Sequence, residues 1–117
     1  MINIKSYDCL LGKIFTKVIN IDDNKLYFKN EHSDTYKFYH EQDCCEDVYI
    51  EDICGDLTDL ENSPILVAEE IVKEDEYCTW TFYKFSTIKG TVTIRWVGES
   101  NGYYSESVDF EKVTILN

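Results

Sequence analysis

The sequence predicts a β-rich α+β domain: a twisted antiparallel sheet, or meander, of about seven strands with one or two short helices. Three observations carry this. Short segments of alternating apolar and polar residues recur along the chain. Turn-forming Asp, Asn and Gly punctuate them at short intervals. The stretch Ile50, Ile53, Leu57 and Leu60 shows helical spacing, interrupted by Gly55. The 117 residues fit one domain, residues 1–117, with a core that needs no disulfide or metal staple.

The elements follow in order. Residues 13–21 (KIFTKVINI) alternate as a strand. Asp22-Asp23-Asn24 is a turn, and Leu26-Tyr27-Phe28 returns as the second arm of a hairpin. After a polar turn at 31–34, residues 35–40 (TYKFYH) place Tyr36, Phe38 and His40 on one face. Val48-Tyr49-Ile50 suits a short strand. A short helix is expected at residues 56–61, with Asp56 as N-cap and Asp59 three residues on. Pro64 ends it. Residues 65–72 (ILVAEEIV) read as strand, with helix as the rival. Residues 77–86 put Cys78, Trp80 and Phe82 on one face; residues 91–97 do the same for Val92, Ile94 and Trp96. Asn101-Gly102 is a two-residue hairpin signal, and residues 103–108 and 112–116 complete a meander.

Charge is unevenly spread. The net charge is −12, yet residues 31–76 hold two Lys against sixteen Asp and Glu. Between Glu41 and Glu61 there are nine acids and no Lys or Arg. Such a surface repels phosphate backbones and anionic membranes, so direct nucleic-acid or membrane binding is not expected. It attracts a basic protein surface or a cation. The bland reading is a solvated face that maintains solubility. No segment approaches the ~20 apolar residues of a membrane-spanning helix. Residues 1–13 have no basic start followed by a long apolar run, so a signal peptide is not expected. With five cysteines, an odd number, the expectation is reduced thiols in a cytosol.

Three stretches carry a family resemblance: His40-Glu41-Gln42-Asp43-Cys44-Cys45-Glu46 with Tyr49-Ile50-Glu51-Asp52; Thr79-Trp80-Thr81-Phe82-Tyr83-Lys84-Phe85; and Ile94-Arg95-Trp96 with Ser100-Asn101-Gly102-Tyr103-Tyr104-Ser105. Over about residues 7–110 the chain resembles an uncharacterised family of short proteins from phages, prophages and Gram-positive bacteria. The resemblance implies a phage or mobile-element setting and supplies no mechanism.

The chain departs from each common catalytic and metal-binding motif at a named position. A zinc protease helix needs a second His where Cys44 stands. A nucleobase deaminase needs His-x-Glu with Pro-Cys-x-x-Cys, and a zinc ribbon needs paired Cys-x-x-Cys knuckles; the chain has neither. Around Gly55 the carboxylate ladder of a calcium loop is missing, and no Gly-rich phosphate loop occurs. A metal site from His40, Cys44 or Cys45, and Cys54 is a weak candidate against cysteines acting as small buried hydrophobes. The sequence therefore predicts a non-enzyme without a cofactor.

Two binding readings follow. In the first, a phage-type inhibitor of a host (defence) process presents its acidic 41–61 face to a basic host protein through Asp43, Glu46, Asp47, Glu51, Asp52 and Asp56. In the second, an oligomeric protein sequesters a nucleotide-like small molecule in a pocket lined by His40, Trp80, Tyr83, Arg95, Trp96, Tyr103 and Tyr104, with Phe82 and Lys84 nearby. A housekeeping phage protein is the third class.

Overall fold

A computed structural model describes residues 6–30, 35–42, 45–76, 78–100 and 106–113. Among the described residues eight strands follow one another: β1 (Lys17–Ile21), β2 (Lys25–Lys29), β3 (Thr35–Tyr39), β4 (Asp47–Cys54), β5 (Val67–Glu74), β6 (Cys78–Thr87), β7 (Gly90–Glu99) and β8 (Asp109–Val113). They form two antiparallel four-stranded sheets, ordered β1-β2-β3-β8 and β4-β7-β6-β5. Each sheet is a three-stranded meander completed by a strand from the other half of the chain. β4 follows β3 but pairs with β7, and β8 follows β7 but pairs with β3.

This corrects the expected single sheet. Two period-2 apolar faces need covering: Leu26, Phe28, Tyr36 and Phe38 on the first sheet, and Tyr83, Phe85, Val92, Ile94 and Trp96 on the second. Packing them face to face buries both at once. Phe38 lies at the centre, 4.7 Å from Tyr83, 5.6 Å from Phe85 and 4.7 Å from Phe110 between ring centroids. Phe28 reaches Phe85 edge-on at 5.1 Å, a favoured aromatic geometry.

The helical component is also corrected. Among the described residues there is no α-helix, only the 3₁₀ turns Ser6–Leu10 and Leu57–Leu60. Asp56 is the expected N-cap: its carboxylate accepts from the Thr58 amide at 3.0 Å and the Thr58 hydroxyl at 2.8 Å. Those bonds hold the Asp56 carboxyl below its usual value. The stabilisation is complete above the ordinary aspartate value and is lost as the pH falls from there through the lowered folded value. Leu60 is fully buried, which uses the turn as a plug for the core.

The Asp22-Asp23-Asn24 turn is present, with Asp22 and Asp23 in left-handed backbone at φ of 53° and 57° and Asn20 bonded to Asp23. Residues 67–74 are strand, not the rival helix. Residues 106–108 belong to no strand, and β8 begins at Asp109. The turns at 31–34 and 101–102 lie outside the described residues. Gly98 explains how the 106–108 segment crosses β7: a Cβ there would sit 2.5 Å from the Glu106 carbonyl oxygen. The described cysteines are not core residues: Cys9, Cys45 and Cys54 are exposed and Cys78 is half-buried. No helix among the described residues is long and apolar enough to cross a membrane.

Candidate functional site

The outer face of the second sheet gathers most of the chemistry. Strand alternation turns Tyr83, Phe85 and Thr81 of β6 inward and leaves Trp80, Phe82 and Lys84 outward. On β7, Arg95 points outward between buried Ile94 and Trp96. The Arg95 guanidinium lies 5.6 Å above the Trp80 ring, a cation–π distance. Its Nη2 donates to Glu51 Oε1 at 3.1 Å and stands 3.7 Å from Asp52 Oδ2.

A β-bulge makes that arrangement possible. In β4, Ile50 pairs with Trp96 and Asp52 with Arg95, so Glu51 is the extra residue. An extra residue breaks alternation, and two consecutive carboxylates reach the same guanidinium.

Beyond Arg95 the acids are not neutralised. Asp47 stands directly opposite Glu99 in the β4–β7 register. Like charges so placed destabilise a sheet. Neither has an ion-pair partner among the described residues. Tyr49 lies between Asp47 and Glu51 in the alternation; desolvation first, then the charges of Glu99, Asp47 and Glu51, push its phenol above the ordinary value. Three carboxylates therefore surround one half-buried ring.

A second cluster sits at the end of β3. His40 Nδ1–H donates to the Ser107 carbonyl at 2.8 Å, because a carbonyl only accepts. His40 Nε2 faces Glu46 Oε1 at 3.1 Å, and the two side chains are only 5% and 1% exposed. The Gln42 amide donates to the Glu46 carbonyl. Both ring nitrogens of His40 are thus occupied by protein groups.

The residues nominated from sequence separate accordingly. Glu46 does not join an acidic face: it is buried against His40. Asp56 is spent on its cap. Glu51 and Asp52 share Arg95, and of the described nominees Asp47 alone is exposed with neither an ion pair nor a cap hydrogen bond. Asp43 lies outside the described residues. The expected pocket does not assemble, because Tyr83 and Trp96 are 1% and 0% exposed in the core while Trp80 and Arg95 lie on the opposite face. His40 belongs to the other sheet; Tyr103 and Tyr104 lie outside the described residues. Cys45 and Cys54 form no group of three or more potential metal ligands with His40, and no such group exists among the described residues; Cys44 lies outside them. Tyr49 and Glu99 were missed. The period-2 set Asp47, Tyr49, Glu51 signals a shared face, whereas Glu99 joins only through cross-strand register.

Fold and site together define a two-sheet antiparallel β-sandwich with an acidic, aromatic-bearing sheet edge. Residues 8–110 match a domain of unknown function, DUF7448, and the chain belongs to that family. No curated protein and no solved structure matches it.

Proposed function

We propose that this protein is a non-catalytic binding protein that covers a basic surface of another protein with the outer β4–β7 edge. The carrying observation is the Asp47–Glu99 pair, two acidic residues directly opposite in the β4–β7 register beside Tyr49. A sheet tolerates such repulsion at a cost, and cations from a partner relieve it on binding. Tyr49, Trp80 and Arg95 add the residue types that concentrate binding energy at protein interfaces. In the phage or prophage setting that the sequence resemblance implies, this makes the protein an inhibitor that masks a basic host surface, in the host cytosol.

The test is a double reversal, Asp47→Lys with Glu99→Lys. It keeps a like-charge pair at the same positions, so the unfolding midpoint stays near that of the unmodified protein while the sign of the patch inverts. Affinity capture from host lysate with the unmodified chain should recover a basic protein that the reversed chain does not retain. Equal recovery by both chains sinks the proposal.

A further inference from the structure

We infer that β5 is a pairing edge for a second copy of this chain, joining two second sheets into one continuous eight-stranded sheet. The four sheet edges are managed differently. On β1, the Val18 amide is capped by Glu61 Oε2 at 2.9 Å. On β4, the Ile50 amide donates to the Asp23 carbonyl at 2.5 Å and a bulge follows. β8 has five described residues. β5 has eight, with no proline and no bulge, and no strand flanks its outer side among the described residues. Long, unblunted edges are templates for another strand. β5 also carries exposed apolar side chains, Ile71 at 55% and Val72 at 49%.

The register identifies the occupant. The Asp75 amide donates to the Cys78 carbonyl at 2.8 Å, which closes the β5–β6 ladder and fixes its phase. Odd-numbered residues of β5 therefore exchange bonds with β6. Ala68, Glu70, Val72 and Glu74 direct their amides and carbonyls to the free edge. An antiparallel self-pairing through these groups with the two-fold axis at Ile71 sets Ile71 against itself and Glu70 against Val72. It also sets Glu69 against Lys73 of the second copy, twice. Glu69, Ile71 and Lys73 all lie on the outer face, where they line a shallow groove of about 260 Å³ with Phe82, Lys84 and Thr93. Two opposite-charge pairs then flank an apolar centre. The neighbouring registers fail: one places Glu70 opposite itself, the other places Glu70 opposite Glu74 twice. The strand is self-complementary in one register, which favours a second copy over a foreign strand. Both β4 edges stay free at the far ends of the joined sheet.

The experiment is sedimentation equilibrium at about 0.15 M salt on the full chain, with two single reversals and their combination. The unmodified chain should sediment at twice 13.8 kDa. Glu69→Lys or Lys73→Glu should raise the dissociation constant roughly tenfold or more. Combining the two restores opposite charges across the axis and should restore the dimer. Amide exchange should show concentration-dependent protection at Glu70 and Val72. A monomer at ~100 µM chain overturns the inference. So does a dimer indifferent to either reversal, or one whose protection falls on other strands.

Discussion

Phe38→Ala is expected to lower the unfolding free energy by about 3–5 kcal/mol, the range for deleting a fully buried aromatic ring. Phe38 touches rings from β2, β6 and β8, so the cavity opens between the two sheets. The surrounding rings are anchored on strands that hydrogen bonds hold in register, and such a site collapses poorly. Urea unfolding followed by tryptophan fluorescence reads the loss directly, since Trp96 lies in the same core. A cost below about 1 kcal/mol would mean that the sheets do not pack on this residue.

His40→Ala is the second large effect. It removes the imidazole from a Glu46 side chain that is 1% exposed, and breaking such a buried pair costs about 3 kcal/mol or more. It also removes the His40 bond to the Ser107 carbonyl, loosening the segment that leads into β8. The coupling distinguishes a true pair from two independent contacts. His40→Ala combined with Glu46→Ala should cost clearly less than the sum of the single changes. Strict additivity in denaturant unfolding would contradict the pairing.

Local order was well written into the sequence, and the partition into sheets was not. Alternation at 35–40 and 91–97 gave β3 and β7 the correct phase, because only one side of each strand is strongly apolar. Residues 78–86 carry aromatics on both faces. Trp80 and Phe82 form one row, Tyr83 and Phe85 the other, and nothing local says which row meets the first sheet. The crossing of β4 and β8 is likewise a tertiary choice, made where Phe38 and Phe110 find the same core. The candidate site was half legible. The acidic run was visible, but alternation alone sends Glu51 and Asp52 to opposite faces, and only the bulge brings both to Arg95. Burial of Glu46 depends on His40 six residues away and on Ser107, which arrives from the far end of the chain.

The acidic edge is the centre of this account, and Glu99→Gln tests it in one protein. The change removes one of two facing carboxylates while keeping the shape of the side chain. If Asp47 and Glu99 are held in repulsion for a basic partner, this variant gains about 0.2–1 kcal/mol of stability and associates more slowly with that partner. Stability should be read by denaturant unfolding and association by stopped flow over a salt series. A variant that gains stability and binds as fast as the unmodified chain would show that the edge is only a solvated surface.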